Sequence, residues 1–559
     1  MKKLAFLQNP ESIYFIPLGG CNEIGMNFNL YYKEGKWIVI DCGIGFASES
    51  IPGVDIIVPD YKFISDNNIK IDALILTHIH EDHVGAIAHL WEGIGRPKIY
   101  ATPLGREFVL HKFADIKIRD KPEIITIHGE MRKINIGTFA IEFVGLTHSV
   151  PEMKAIVLDS PWGKIVHTGD WKFDNSPVVG QESDLKRLKE LGKEGVHTIL
   201  CDSTNISQEG FSGSEGDLEK SMIKLVKEQK GRVIISTFAS NLARVQTICN
   251  VAQKTGRKLV LSGFSLRRIT DIGLKIGYFQ NCPEFLDQKD ASGLKPEQTL
   301  ILCTGCQGEE RASLSKIASK EHPHIKLNKG DSVIFSSKII PGNEKSIYEL
   351  FNKFVQRDIN IFTERDHQVH VSGHPNRGEL KKMYSLLKPK NLIPVHGEQY
   401  HIMEHCEFGK SLGMNSMRPK NGDVIEIGKD GVKKVDSVYS GYLCVDGTRF
   451  ENIESSIFKE RKAIAYGGMI SCVCIVTSAG KLTCQPIIEH YGVFDSKKQD
   501  EIKEFQKGLR SEIAELLVNF ENISQSKKAI ERTIDNTIAK SMKYSHGKIP
   551  FINVIFHVI

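Results

Sequence analysis

Thr77-His78-Ile79-His80-Glu81-Asp82-His83 sets three imidazoles and two carboxylates within six positions. That density of nitrogen and oxygen donors suits a site for two divalent metals, and so a hydrolase. The apolar run Ile71 to Leu76 precedes it and predicts a buried strand over residues 71 to 77, from whose end His78 and His80 alternate toward one ion. Val84 to Trp91 reads as the start of a helix, with Asp82 and His83 at its N-terminal edge facing a second ion. Two ions need more donors than one loop supplies, and three other strand-like runs end in them: Ile141 to Leu146 before His148, Lys164 to Val166 before His167-Thr168-Gly169-Asp170, and Asn391 to Val395 before His396. A carboxylate can bridge two cations where a neutral imidazole cannot. The expected ligands are therefore His78, His80, His148 and Asp170 for one metal, and Asp82, His83, Asp170 and His396 for the other.

An HxHxDH run followed in order by separate His, Asp and His residues resembles the metallo-β-lactamase superfamily. The stretch between Asp170 and His396 adds features similar to its nucleic-acid-processing β-CASP branch. Leu200 to Asn205 resembles that branch's acidic motif, with Asp202 the acid, and His370-Val371-Ser372-Gly373-His374 resembles its histidine motif, 22 residues before His396. Leu18 to Asn27, Thr237 to Asn241, Cys303 to Glu309 and Ile340 to Glu344 further resemble the bacterial ribonuclease J family. Two positions depart from the family pattern: Ile79 stands where Gly is usual, with an expected effect on access to the metals, and Cys306 where Ser is common.

The resemblance implies single-stranded RNA as substrate, 5′-to-3′ exonuclease action preferring 5′-monophosphate ends, and endonuclease activity, in RNA processing and decay through a two-metal activated hydroxide. Zinc is the expected metal, with manganese or magnesium as alternatives for activity. Asp82, Asp202 and His374 are the expected catalytic residues. His374 is expected to donate to the scissile phosphate or to the 3′ leaving oxygen, Asp202 to orient metal-site histidines, and Asp82 to accept a proton from water. Ala239, Ser240 and Asn241 with His370 to His374 match places where the family holds RNA phosphates, and Phe46 is set to stack on a terminal base or to lie in the core. A DNA-directed β-CASP nuclease, a small-molecule hydrolase of the same fold and a noncatalytic RNA-binding subunit are the competing readings.

Composition is that of a globular protein with a real core. The 559 residues are 41% hydrophobic and 25% charged, and the net charge of +5 is too small to argue for a polyanion partner by itself. No apolar run reaches membrane-spanning length, and the first ten residues meet Asn9 and Pro10 before a secretory core develops, so the expected address is the cytoplasm. Twelve scattered cysteines predict reduced thiols, and Cys303-Thr304-Gly305-Cys306 predicts a structural loop rather than a zinc knuckle.

These residues must be held by a mixed α/β chain. Residues 1–208 are expected to form the first part of an αββα metallo-β-lactamase sandwich, 209–365 an inserted parallel α/β β-CASP domain and 366–450 the return to the sandwich. Residues 451–559 are expected as linker and a small α+β C-terminal domain. In the insert, Asp217 to Gln229 predicts a helix and Arg232 to Ser236 a buried strand. Val435 to Asn452 reads as a linker, followed by strands at 468–476 and 482–487, a helix at 496–517 and a last apolar strand at 551–559. The C-terminal domain is expected to make a homodimer or homotetramer, and other RNA-decay proteins are expected partners.

Overall fold

The computed structural model describes residues 4, 6–48, 50–129, 131–340, 342–479, 481–518 and 527–559. Pro341 of the 340–344 motif, and residues 1–3 and 5 of the opening segment, lie outside them. The chain divides into two compact units, residues 1–45 with 58–441, and residues 46–57 with 442–559.

In the first unit an eight-stranded and a seven-stranded sheet face one another. Phe15, Ile38, Ile40 and Ile75 of one interdigitate with Phe143, Ile156, Ile165, Leu200 and Ile393 of the other in a common core. The outward residues of the second sheet, among them Val157, Val166 and Ile199, pack on Leu188 and Leu191 of helix Leu185–Glu194 and on Leu380, Met383 and Leu387 of helix Arg377–Leu387. This is the expected αββα sandwich. Strand Val196–Asp202 is buried at every position because it runs between Gly163–His167 and Asn391–Val395 and is covered on both faces.

Between Asp202 and Asn391 the chain builds a six-stranded sheet in the order 285–287, 258–262, 299–303, 233–236, 332–335, 360–362, parallel at every pairing, with helices against its faces. The expected helix and strand fall at Glu215–Glu228 and Val233–Ser236. On its return the chain enters the sandwich beside the strand it left, with Asp202 in register with Val395. His396 and Asp202 are neighbours for that reason.

The second unit has a three-stranded sheet in the order Ile487–Tyr491, Met469–Val476, Phe551–Val558, packed on helices Gln499–Val518 and Lys527–His546. The strand expected at 482–487 begins at Ile487 instead, with Leu482 making only an isolated bridge to Val476. Val435 to Asn452 holds the boundary between the two units, at Gly441 and Tyr442, but is mostly strand. Gly431–Ser437 pairs with Asp423–Gly428, and Tyr442–Asp446 forms a hairpin with Arg449–Asn452 that buries Cys444 against Ile51, Val54 and Phe458. The polar composition there reflects strands with one solvated face. No helix among the described residues is long and apolar enough to cross a membrane.

Candidate active site

Strands Phe139–Gly145, Gly163–His167, Val196–Asp202 and Asn391–Val395 run in one direction, so their C-terminal ends share one margin of the sheet. His148, Asp170, Asp202 and His396 all lie at that margin. Facing them, strand Ala73–Ile75 ends well before position 77, and His78 and His80 sit on irregular backbone before the four-residue helix Glu81–Val84, which carries Asp82 and His83.

The donors converge in the two sets the spacing predicts. His80 Nδ1 lies 3.0 Å from both His78 Nε2 and His148 Nε2, and Asp170 Oδ2 stands 3.9 and 4.0 Å from those two Nε2 atoms. In the other set, Asp170 Oδ2 is 3.2 Å from His83 Nε2 and 3.5 Å from His396 Nε2, while Asp82 Oδ2 is 3.7 and 3.6 Å from the same nitrogens. Donors of a tetrahedral zinc site, at roughly 2.0–2.1 Å from the ion, stand about 3.3 Å apart, so the first set has the packing such an ion demands.

Three further observations fit metal ions here. Each imidazole has its distal nitrogen engaged, as ligating histidines require. His83 Nδ1–H donates to Asp41 (2.7 Å) and His148 Nδ1–H to the Gly373 carbonyl (2.6 Å). His78 Nδ1 meets Thr77 Oγ1 (3.0 Å), His80 Nε2 meets Ser149 Oγ (3.2 Å) and His396 Nδ1 meets Asn27 Oδ1 (3.3 Å). Burial, with the neighbouring imidazoles, drives His78 and His148 well below the usual histidine range, and burial takes His80 down to about 4. All three are thus the neutral, lone-pair form that binds metal. Finally, Asp170 is 1% exposed, and its Oδ2 stands within 4.0 Å of a nitrogen in both donor sets.

A third set adjoins these two. His374 Nδ1–H donates to Asp202 Oδ2 at 2.8 Å and lies 3.9 Å from Asp170 Oδ2. Burial opposes its protonation, but Asp202 and then Asp170 outweigh burial and hold His374 up at about 9. This corrects the role expected of Asp202. Its imidazole partner is His374, and the metal-site histidines take their orientation from Asp41, Thr77, Ser149, the Gly373 carbonyl and Asn27.

Among the residues expected near RNA, Asn241 caps helix Leu242–Thr255 by accepting from the Arg244 amide, and the Ala239–Ser240 turn precedes it. Ser372 Oγ accepts from Asn205 Nδ2 (2.8 Å) and from the His374 amide (3.1 Å), and Val371 is buried. Gly373 leaves no room for a side chain, since a Cβ there falls 2.8 Å from the His148 ring. His370 Nδ1 is buried without a partner. Phe46, 75% exposed, is not a core residue and belongs to the second unit. Ile79 is 1% exposed, with its Cγ2 toward Gly105 in the first turn of helix Pro103–Asp115, so it is a packing residue. Cys303 and Cys306 are both buried, and burial pushes each thiol up to about 12, as a structural loop requires.

Asp41 and Asn27 are the functional residues that spacing did not single out. Asp41 accepts from the Thr77 amide and hydroxyl (2.8 Å each) besides His83. Its signal is faint: an Asp at the end of an apolar strand, ahead of Cys42-Gly43.

Four family models match the chain: the metallo-beta-lactamase superfamily over residues 26–200, the ribonuclease J beta-CASP domain over 230–354, the Zn-dependent metallo-hydrolase RNA specificity domain over 363–419 and the ribonuclease J C-terminal domain over 456–559. Ribonuclease J of Sinorhizobium meliloti is 37% identical over 499 residues, 88% of each chain. Ribonuclease J of Corynebacterium glutamicum is 35% identical, across 89% of this chain and 70% of that one, and ribonuclease J of Helicobacter pylori strain B128 34%, across 98% and 79%. A solved protein of unknown function from Enterococcus faecalis V583 superposes with a TM-score of 0.50 at 14% identity, over 74% of this chain and all of that one, and shares the fold. The donor sets thus sit in a chain that matches ribonuclease J along most of its length, and the protein belongs to the ribonuclease J family.

Proposed function

We propose that the protein is a metal-dependent ribonuclease that digests single-stranded RNA from the 5′ end, preferring 5′-monophosphate, and also cleaves internally, in cytoplasmic RNA processing and decay. One observation carries this reading: His78, His80, Asp82, His83, His148, Asp170 and His396, drawn from across the chain, meet in two donor sets that share Asp170. Two divalent ions, zinc by the donor types, when bound supply the Lewis acidity that lowers the pKa of water toward about 7 and offsets phosphate charge.

The chain's own groups do the rest. Asp82 lies at the edge of its donor set, partly exposed, where its carboxylate can take a proton from water. Asp202 holds the Nδ1 proton of His374, which leaves Nε2 to carry the proton delivered to the 3′ leaving oxygen. His374 keeps that proton at neutral pH because its pKa stands at about 9.

Phosphates of the strand are assigned to residues 239–241 and 370–374. Support comes from Ala239, Ser240, Ser372 and Gly373, whose small or hydroxyl-bearing side chains let backbone amides approach an anion. Phe46 is assigned to stack on a terminal base, for which its exposed ring is suited. Self-association through the C-terminal domain, and other RNA-decay proteins as partners, complete the reading.

The test compares one RNA carrying 5′-monophosphate or 5′-triphosphate, and a DNA of equal sequence, by end-labelled product size. Mononucleotides released mainly from the monophosphorylated RNA are expected. Equal release from both RNAs removes the end preference, cleavage of DNA alone moves the protein to a DNA-directed role, and no cleavage of either refutes the nuclease.

A further inference from the structure

One buried charge pair has no part in the chemistry above. Arg244, in the first turn of helix Leu242–Thr255, is 0% exposed, and its fork pairs with Glu215, at 2.8 Å from Nη2 to Oε1 and 3.2 Å from Nε to Oε2. Thr247 Oγ1 donates to the same carboxylate at 3.2 Å. The guanidinium also reaches backbone outside the insert's helices. Nη1 donates to the Ser336 carbonyl (2.9 Å) and hydroxyl oxygen (2.5 Å), and the two terminal nitrogens reach the carbonyls of Val369 (3.4 Å) and Val371 (3.5 Å). Ser336 in turn donates its hydroxyl to Val369 at 2.7 Å.

Residues 369–371 open the segment that carries the chain back to the sandwich. Two residues on, the Gly373 carbonyl receives His148 Nδ1–H, and His374 meets Asp202. An unbroken run of short backbone therefore links the guanidinium to a metal-site imidazole and to the proton donor. Packing alone does not call for this arrangement, because apolar side chains of similar volume fill such a space at no loss of stability. A planar fork of five donors is what several carbonyls approaching from one side demand.

We propose that Arg244 is a positioning residue: anchored by Glu215, it grips the carbonyls of Val369 and Val371 and so sets where Gly373 and His374 meet His148 and Asp202. Only the kinetic arm of the test rests on the nuclease reading above, with His374 as proton donor.

The decisive variant is the full chain with Arg244→Met and Glu215→Met together. It removes both charges at nearly constant volume and avoids the unpaired carboxylate that Arg244→Met alone would bury. In hydrogen–deuterium exchange, amides of residues 369–374 are expected to exchange about ten-fold faster, the protection of one hydrogen bond, with strand Val196–Asp202 unchanged. Wild-type exchange at 369–374 overturns the proposal whether or not RNA is cleaved. In RNA cleavage, kcat is expected to fall about 100-fold, as for a misplacement near 1 Å, with KM moving far less. Added to His374→Ala, the pair of substitutions should cost far less than it does alone, because the grip acts mainly through His374. An unchanged kcat, or a loss that multiplies with His374→Ala, overturns the proposal. Should the double variant not fold, Arg244→Lys serves for the same readings, since it keeps a charge opposite Glu215 but lacks the fork that reaches both carbonyls. A wild-type chain that cleaves no RNA refutes the nuclease reading and leaves the exchange measurement to decide the grip.

Discussion

An imidazole can be recognised as a ligand by its type and spacing, but not by what holds its other nitrogen. The histidines at 78, 80 and 83 announce themselves because nothing else explains three within six positions. Asp41, which fixes His83 and Thr77 through its two oxygens, is one carboxylate with no partner in its own stretch of sequence, and its left-handed backbone (φ 65°) is visible only in three dimensions. His374 is intermediate: its motif marked it, while its pairing with Asp202 appeared only once the insert was closed. Replacing His374 by Ala removes the proposed proton donor, which belongs to neither shared donor set. Turnover on RNA is expected to fall by about 10²–10⁴-fold while bound metal per chain, read by elemental analysis, stays at the wild-type value. Loss of the metal along with activity would instead make His374 part of the metal-holding structure.

Segments were easier to anticipate in kind than in extent. The 71–77 run is strand only over Ala73–Ile75, and the single helix expected from Val84 is two short ones, Glu81–Val84 and Ile87–Leu90. The cause is a foreign backbone laid against them: the Cys42 amide donates to the His83 carbonyl (2.7 Å), and the Cys42 carbonyl takes the Ala86 amide (3.0 Å), which interrupts the helical ladder. Periodicity cannot report a partner 40 residues upstream. Gly43 is the residue that permits this approach, since a Cβ there falls 1.7 Å from the Asp82 carbonyl oxygen. Gly43→Ala must therefore push the turn carrying Asp82 and His83 away from strand Lys36–Ile40 and its end. The expected cost is about 3 kcal/mol in thermal unfolding, with metal affinity weakened about 10–100-fold in chelator competition. Wild-type values in both would mean that the turn is not held by this contact.

The molecule's order of domains was readable from the alternation of elements, while the second unit hid more than it showed. Helix Lys527–His546 escaped notice although Ile530, Ile534, Ile538 and Met542 form its buried stripe, because β-branched residues with Asp535-Asn536-Thr537 hold helix propensity low until a sheet covers the stripe. That sheet has a second face. In register across it stand Ile487, Val473 and Ile555, and Ile487 and Ile555 are each 46% exposed. Among the described residues, strand Phe551–Val558 is also an edge, paired on one side only. An apolar row on an unpaired edge is the surface that a chain leaves open when another strand or sheet is to cover it. The expected self-association should therefore depend on this row. Truncation near residue 450 is a poor probe, since it cuts strand Arg449–Asn452 out of its hairpin. Ile555→Lys is a better one: it keeps the core face intact, Ile555 pointing away from Phe556's side, and sets a charge where a second copy must pack. Light scattering after size exclusion should then find the wild type at a multiple of the 62.7 kDa chain and the variant at that mass itself. An oligomer that survives the lysine must be held together by a different surface.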